Sequence, residues 1–355
     1  MVSLDRSPTM SVSSAFKILA LGPNPAFQRV VRFDSPITLG GINRAAAVDT
    51  YVGGKGQGAA MAANRFAPGG GAAVAHFLGG DTGKYIEATL SASGIDQIIQ
   101  PVSVPTRTCT TLTTLGDASQ TELIDPSGSI SETELEGLVQ LTADYLNRHP
   151  VGGIAICGTT PPGAQDFYES VARLLLRQDS AAVLLLDSAK GVDGVLSSGR
   201  VDVLKINVDE AKALTQTSSA ELAAEALLHA PDAPLRQPGA MVALTDGPRP
   251  ARVFFKRAPR RSYTLAVPAI ECVNAIGAGD VCTGVFIRKL VEARRSASAA
   301  TVDEDGAEGA DEAAAVDAFA WGLAAACARC THDLPEGATR EEVEAMRERI
   351  RVEEV

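Results

Sequence analysis

The second half of the chain alternates short apolar runs with longer amphipathic stretches. Apolar runs occur at 153–157, 183–187, 201–206 and 241–245, and residues 166–177 between them carry apolar side chains at helical spacing. A strand without a polar face is buried on both sides, which is typical of a parallel sheet covered by helices. The pattern therefore predicts an α/β fold, in which the strand ends line up along one edge where ligands bind.

The first half has a different pattern. Residues 16–21 form an apolar run that predicts a core strand, whereas residues 27–52 contain short alternating stretches and turn signals such as Asp34-Ser35-Pro36. Residues 107–124 are rich in β-branched side chains, which favour strands. We therefore predict a small β-sheet lid, built from segments at about 27–52 and 104–124 and set against the α/β body.

Length and charge narrow the class of protein. The chain has 355 residues, which is long for a single domain by the usual prior of ~100–200 residues, yet large α/β enzymes reach this size. We expect one domain over residues 16–355, preceded by a flexible tail at 1–15. There are 32 Lys and Arg against 43 Asp and Glu, a net charge of −11. Nucleic-acid binding needs clustered cations, so this balance argues against it.

The cysteines and the apolar segments bear on the cellular compartment of the protein. The 6 cysteines are scattered, several within apolar runs, which predicts reduced thiols in a cytoplasmic protein. Cys327 and Cys330 form a C-x-x-C without a second pair, and their spacing places them on one face of an Ala-rich helix, so we interpret them as helix residues. We expect no transmembrane helix, because no run of ~18 apolar residues is present. The Ser-rich start lacks the apolar segment of a secretory signal.

Two features near the C-terminus carry local predictions. Residues 296–316 contain no Lys or Arg, and acidic residues cluster there among Ala, Gly and Ser. We predict a solvated acidic loop at about 296–313. Thr339-Arg340-Glu341-Glu342 has the sequence of a capping box and predicts a charged C-terminal helix.

The sharpest chemical signal is the motif N-A-I-G-A-G-D at 274–280, which precedes a stretch with helical periodicity. A Gly-rich turn that leads into a helix N-terminus presents free N–H groups to an anion. A carboxylate at Asp280 can accept the proton of an attacking hydroxyl while the N–H groups of Gly277, Ala278 and Gly279 hold the transferring phosphoryl group. The alternative is an Asp that only favours the helix start.

Three further segments are candidates for ligand contacts. G-G-K-G-Q-G-A-A at 53–60 opens an apparent helix and either cradles a polar ligand or forms a tight turn. C-G-T-T-P-P-G at 157–163 follows a buried strand, where Thr159 offers a hydroxyl or the segment only ends the strand. In K-I-N-V-D-E at 205–210, Asn207 and Glu210 suit hydrated Mg²⁺, and they also match an N-cap pair; both can hold together.

The order of these motifs resembles the PfkB carbohydrate kinase family over about residues 16–330, apart from the acidic loop. The nearest branch contains 1-phosphofructokinase, tagatose-6-phosphate kinase and the minor 6-phosphofructokinase. The combination is specific although each motif alone is not. The matching positions are N-P-A at 24–26, G-G-K-G at 53–56, Arg107, C-G-T-T-P-P-G at 157–163, K-x-N-x-x-E at 205–210, T-D-G at 245–247 and G-A-G-D at 277–280.

The resemblance implies a ribokinase-like three-layer α/β/α body with a mainly parallel sheet and a β-lid that often forms a homodimer clasp. It implies transfer of the ATP γ-phosphate to a sugar hydroxyl with Mg²⁺, with Asp280 as base and Asn207 and Glu210 organising the metal. The implied nucleotide-binding residues are Lys205, Asn207, Thr245, Gly247 and Asn274. The implied substrate-binding residues are Gln28, Arg44, Gly53, Gly54, Lys55, Gly58, Arg107 and Thr159, of which Arg44, Arg107 and Thr159 would hold a substrate phosphate.

The sequence departs from the family pattern at the acceptor end. Gln28 stands where the family has Asp, Gly58 where it has Asn, and Ala275 where Thr is frequent. We expect a phosphosugar kinase that acts on a phosphate of fructose or tagatose type. The alternatives are a kinase for an unphosphorylated sugar or nucleoside, and a non-catalytic sugar-binding regulator. A nicotinamide-dependent dehydrogenase is disfavoured, because no G-x-G-x-x-G follows the first strand.

Overall fold

The apolar runs form one large sheet in the computed structural model, which describes residues 16–66, 71–114, 117–258, 261–299, 304–334 and 338–355. The expected tail at 1–15 lies outside these residues. Seven strands pair in parallel, in the order β5-β4-β1-β8-β9-β10-β11, and β12, β13 and β14 add antiparallel at one edge. The strands are β1 (Lys17–Leu21), β4 (Ala72–Leu78), β5 (Asp96–Pro101), β8 (Val151–Cys157), β9 (Val183–Asp187), β10 (Val203–Asn207), β11 (Met241–Asp246), β12 (Arg249–Phe255), β13 (Ser262–Ala266) and β14 (Arg351–Glu354).

Helices cover both faces of this sheet. In β1, Ile18 and Ala20 belong to one buried cluster and Leu19 and Leu21 to the other, because successive strand residues point to opposite faces. The first cluster includes residues of α1 (Lys55–Arg65), α2 (Gly80–Ala92), α8 (Ala278–Ala299), α9 (Glu304–Cys330) and α10 (Arg340–Arg349); the second includes residues of α3 (Glu132–Arg148), α4 (Phe167–Arg177), α5 (Asp193–Ser197), α6 (Val208–Thr215) and α7 (Ala220–Leu228). The three-layer α/β/α prediction is confirmed.

A smaller second sheet is built from the segments predicted to form the lid. Its order is β3-β2-β6-β7, with β2 (Ala26–Phe33), β3 (Ala47–Gly53), β6 (Thr108–Thr114) and β7 (Asp117–Ile124). Phe27 of β2 packs edge-on against Tyr85 of α2, with ring centroids 4.9 Å apart, which fixes the lid against the body. Val48, Leu123 and Ile124 of the lid are exposed.

The prediction of an acidic loop at 296–313 is wrong. Residues 296–299 belong to α8 and residues 304–313 to α9, while residues 300–303 lie outside the described part of the chain. Ala and Glu favour helices, and acidic residues are stabilised in the first turns by the helix dipole. Two of the acidic residues also have cationic neighbours: Asp311 lies 3.4 Å from Arg294 and Glu312 lies 3.8 Å from Arg261.

Helix α9 is the most apolar long helix of the described residues. Its part from Gly309 to Cys330 is long and apolar enough to cross a membrane (mean hydropathy 1.3), yet 67% of it is buried against the rest of the protein, as in a core helix. Cys327 and Cys330 lie on it as predicted, and all six cysteines are free. Thr339 caps α10 in the predicted capping box with Glu342.

Candidate active site

The carboxyl ends of neighbouring parallel strands place polar residues along one edge of the large sheet. Strand β9 ends at Asp187, β10 at Asn207, and β11 at Asp246, with Thr245 in register with Asn207. Gly158 directly follows β8, and its N–H donates to the carbonyl of Asp187 at 3.1 Å. Such an edge is where open α/β sheets bind their ligands.

The turn at 274–280 meets this edge as a helix N-terminus. The Asn274 side-chain oxygen accepts a hydrogen bond from the Ile276 N–H at 2.9 Å, and Gly277 adopts a φ of +79°, which only glycine reaches without strain. The first α-helical bond runs from the Val281 N–H to the Gly277 carbonyl at 3.0 Å. The helix N-terminus therefore leaves N–H groups of the turn without an intrahelical partner.

Ala278 differs from the prediction in one respect. Its N–H donates to the carbonyl of Ala275 at 3.2 Å, closing the turn. Within the described residues, the N–H groups of Gly277, Gly279 and Asp280 have no backbone partner. These three groups, rather than the Ala278 N–H, line the mouth of the helix and supply the positive end of its dipole.

Asp280 lies half-buried at this helix N-terminus. Burial and the nearby Asp187 carboxylate raise the pKa of Asp280 to about 7, against the opposing charges of Lys55 and Lys205. A carboxylate with this pKa is half-ionised at neutral pH and can both accept and release a proton there. The geometry and the pKa together make Asp280 a candidate general base.

A buried ion pair that sequence reasoning missed lies directly beneath the turn. Asp187 and Lys205 are 4% and 3% exposed, and the Lys205 ammonium lies 3.1 Å from the Asp187 carboxylate. The ammonium also donates to the Gly279 carbonyl at 3.0 Å, and the Thr283 hydroxyl donates to Asp187. Burial disfavours the charge of Lys205, but the Asp187 carboxylate outweighs this and raises the pKa of Lys205. Lys205 therefore stays charged, and the pair supports the turn from below.

Two cavities open on either side of the N-terminus of α1. The larger, of about 440 Å³, is lined by the predicted acceptor residues Gln28, Gly53, Gly54 and Gly58 together with Gly277 and Asp280. The smaller, of about 270 Å³, is lined by Lys55, Arg107, Thr159, Lys190 and Glu210. The structure thus divides the predicted acceptor residues between two neighbouring cavities, and Asp280 lies in the wall of the larger one.

The two altered acceptor positions have distinct surroundings. Gln28 is 9% exposed, and its side-chain amide donates to the Thr111 hydroxyl at 2.9 Å. Gly58 lies against Asp280: a Cβ at this residue would be 3.0 Å from the Asp280 Cβ and 3.2 Å from its Oδ2. The departure at residue 58 therefore removes a side chain from beside the Asp280 carboxylate.

Arg107 and Thr159 lie at the end of the smaller cavity. The Arg107 guanidinium donates to the carbonyls of Asn24 and Pro25 over 3.3 and 3.4 Å. Bonds of this length are weak and leave the guanidinium able to turn to an anion. Lys55, which begins α1, lines the same cavity, so three donors converge there.

Arg44 is not brought to this cleft. It lies in the exposed segment between β2 and β3 and lines neither cavity, so its contact with a substrate phosphate stays a prediction. The segment from 34 to 46 has no buried apolar side chain to hold it against the body.

Two predicted nucleotide residues are engaged within the protein. The Asn274 amide donates to the Asp333 carbonyl at 2.8 Å, and its oxygen serves the turn. Lys205 is held by Asp187 and Gly279. Thr245 and Gly247 lie at the end of β11, beside the end of β10, on the same edge. The contacts of all four with a nucleotide stay predictions.

Asn207 and Glu210 form the capping box that the sequence allowed. The Glu210 N–H donates to the Asn207 side-chain oxygen at 2.8 Å, and the Glu210 carboxylate accepts from the Asn207 N–H at 2.9 Å. Within the described ranges, no group of three or more His, Cys, Asp and Glu residues is arranged to hold a metal ion by itself. Glu210 still lines the cleft, which fits a magnesium ion held mainly by water and phosphate.

The chain is similar to known carbohydrate kinases. The model of the pfkB family carbohydrate kinases matches residues 27–335. Tagatose-6-phosphate kinase of Staphylococcus epidermidis is 26% identical over 265 residues, covering 74% of this chain and 82% of that one. ATP-dependent 6-phosphofructokinase isozyme 2 of Mycobacterium tuberculosis is 29% identical over 237 residues, covering 61% and 66%.

The fold has solved counterparts. Phosphofructokinase-2 from Escherichia coli superposes with a TM-score of 0.75 at 19% identity, covering 94% of this chain and 99% of that one. The family match spans most of the chain, and the members of this family are phosphotransferases with an alcohol group as acceptor. The chain belongs to the pfkB family of carbohydrate kinases.

Proposed function

We propose that this protein is a phosphosugar kinase that transfers the γ-phosphoryl group of ATP to a hydroxyl of a sugar phosphate. The observation that carries this proposal is the pair of cavities beside the N-terminus of α1. Asp280 and Gly277 line the larger cavity, while Arg107, Thr159 and Lys55 line the smaller one. A neutral sugar forms no charge-assisted hydrogen bonds with Arg107 and Lys55, whereas the phosphate of a sugar phosphate does.

Asp280 acts as the base in this proposal. It accepts the proton of the attacking hydroxyl as the new P–O bond forms and the bond to the leaving ADP oxygen breaks. The N–H groups of Gly277, Gly279 and Asp280 hold the charge that spreads over the phosphoryl oxygens. Lys205 and Asp187 keep the turn in position from beneath, through the Gly279 carbonyl.

The nucleotide lies along the strand ends in this proposal. Asn207, Thr245 and Gly247 lie at the ends of neighbouring strands on that edge, and Glu210 lines the smaller cavity. Mg²⁺ supplies charge neutralisation of the ATP phosphates when bound, and the capping box orients the Glu210 carboxylate toward the water shell of such an ion.

We also infer a cytoplasmic location and a homodimer formed through the lid. The six free cysteines are those of a protein in a reducing compartment. Val48, Leu123 and Ile124 leave apolar surface exposed on the lid sheet, and exposed apolar patches mark contact surfaces.

The acceptor is identified by an assay of ADP release with Mg-ATP. The panel holds fructose 1-phosphate, fructose 6-phosphate, tagatose 6-phosphate, free fructose, ribose and adenosine. We expect turnover with a sugar phosphate and little with the free sugars. Turnover confined to a free sugar or to adenosine would contradict the phosphosugar assignment. ATP binding without turnover on any acceptor would favour a regulatory role, with Gln28 and Gly58 as its cause.

A further inference from the structure

Two arginines are the largest fully buried side chains in the described part of the chain. Arg329, near the end of α9, is 0% exposed, and Arg288 of α8 is 1% exposed. Burial lowers the pKa of both guanidinium groups. Removing an arginine from water is costly unless its charge meets compensating groups, so each must be held by specific acceptors.

The acceptors of Arg329 are backbone carbonyls at the active-site turn. Its Nη1 donates to the carbonyl of His332 at 2.7 Å and to that of Asn274 at 3.4 Å. Its Nε and Nη2 have no hydrogen-bond partner among the described residues. Arg329 thus contacts the His332 carbonyl directly and the Asn274 carbonyl through a longer, weaker bond, and Asp333 lies close enough to favour its charge.

This contact belongs to a network that ties α9 to the turn. The Cys330 carbonyl accepts from the Val273 and Asn274 N–H groups at 2.8 and 3.1 Å, and the Asn274 amide donates to the Asp333 carbonyl. The Asn274 side-chain oxygen in turn fixes Ile276, immediately before Gly277. Any movement of Asn274 is therefore passed to the N–H groups that hold the phosphoryl group.

We propose that Arg329 is a positioning residue for phosphoryl transfer, which serves as a built-in monovalent cation between the carbonyls of Asn274 and His332. Without a cation, two carbonyl oxygens that converge in a buried site repel each other. Arg329 does not set the ionisation of the base, because the charges that shift the pKa of Asp280 are those of Asp187, Lys55 and Lys205. Its effect is on geometry, through Asn274.

The inference rests on the proposed kinase activity and predicts a specific kinetic pattern. We expect Arg329→Ala to lower kcat by about 10- to 100-fold, because a small displacement of preorganised donors has effects of this order. Because Arg329 also lines the larger cavity, the KM for the acceptor can change as well, but the KM for ATP and the pH at which activity falls should be unchanged. Arg329→Lys, which keeps a cation at the carbonyls, should retain most of the activity.

Chemical rescue separates this role from a general contribution to stability. Guanidinium at non-denaturing concentration, K⁺ or NH₄⁺ can enter the space left in Arg329→Ala and neutralise the two carbonyls, so we expect each to restore part of kcat. Arg288→Ala is the matched control. Its guanidinium is equally buried and donates to the Phe16 and Gly71 carbonyls, away from the turn. We expect it to lose stability without the kcat loss and without rescue.

Hydrogen exchange does not depend on turnover, so it distinguishes a failure of the Arg329 proposal from a failure of the proposed kinase activity. Hydrogen exchange of the amides at 274–281 should be faster in Arg329→Ala than in the wild type and should slow again with the added cation. Wild-type kcat in a folded Arg329→Ala variant would overturn the inference. A kcat loss equal to that of Arg288→Ala, without rescue or faster exchange at the turn, would also overturn it. If the wild type itself has no kinase activity, exchange still tests the contact while the proposed function fails.

Discussion

Substituting alanine for Gly58 tests whether catalysis depends on a fixed position of Asp280. The new Cβ would lie 3.0 Å from the Asp280 Cβ and 3.2 Å from its Oδ2. Carbon atoms in ordinary contact are about 3.5–4.0 Å apart, so the carboxylate has to move by about half an ångström. Because misplacement by ~1 Å costs about 100-fold in rate, we expect kcat of Gly58→Ala to fall by about tenfold.

The same change should leave the protein folded. Alanine in a helix interior is favoured over glycine by about 0.5–1 kcal/mol, which offsets the crowding at Asp280. Gly309→Ala is the matched control, because Gly309 lies in α9 and a Cβ there meets no atom within 4 Å. We expect the control to gain stability and to keep wild-type kinetics.

The assays are steady-state ADP release and urea unfolding on the wild type and both variants. We expect kcat to fall in Gly58→Ala alone, with a free energy of unfolding within about 1 kcal/mol of the wild type. A wild-type kcat in Gly58→Ala would refute the argument that this glycine leaves room for the base. An equal loss of activity in Gly309→Ala would do the same, because that variant leaves Asp280 untouched.

Three further variants test other parts of the site. Arg107→Ala should raise the KM for a sugar phosphate by about 10- to 100-fold, because a charge-assisted hydrogen bond to the phosphate is lost. The KM for ATP should be unchanged. An unchanged KM for the sugar phosphate would show that Arg107 does not bind the phosphate. The activity of the wild type should fall as pH drops below about 7, because the base becomes protonated. In the wild type the Asp187 carboxylate raises the pKa of Asp280. Asp187→Asn removes this charge, so the loss of activity at acidic pH should begin at a lower pH than in the wild type. An unchanged pH profile in Asp187→Asn would contradict the assignment of Asp280 as the base. Leu123→Asp should convert a dimer to a monomer in light scattering, and a monomeric wild type would exclude the lid dimer.

Strands β1, β8, β9, β10 and β11 of the large sheet were predictable because they are apolar on both faces. The runs at 183–187 and 241–245 needed only the rule that such strands are buried. The Gly-rich turn was equally readable, since glycine and a following helix fix the local geometry. These features are local in sequence, so periodicity and turn chemistry describe them well.

The support of the turn was not predictable in this way. Asp187 reads as the last residue of an apolar strand, and only the fold brings it to Lys205 and Thr283. Asp187 lies at the carboxyl end of a predicted parallel strand, where α/β proteins bind ligands, and this position could have identified it as a site residue. Arg329 reads as a helix residue, and its carbonyl partner at Asn274 lies 55 positions away. Every residue has a backbone carbonyl, so the sequence does not show which carbonyl accepts a hydrogen bond from Arg329.

The acidic segment shows the opposite error, in which composition was given too much weight. Clustered Asp and Glu indicate a solvated loop when no apolar face accompanies them. Ala315, Val316 and Phe319 follow directly, and their burial against the body draws the acidic residues into the same helix. Tertiary packing therefore outweighed the local charge pattern.

The most direct test of the account is the turnover of Asp280→Asn with Mg-ATP and the best sugar phosphate, measured beside ATP binding. Asp209→Asn is the control, because Asp209 lies on α6 near the same strand ends with an 83% exposed side chain. We expect Asp280→Asn to lose nearly all turnover while ATP binds with near wild-type affinity, and Asp209→Asn to behave as the wild type. Near-normal turnover in Asp280→Asn would contradict the proposal that this carboxylate accepts the proton of the attacking hydroxyl.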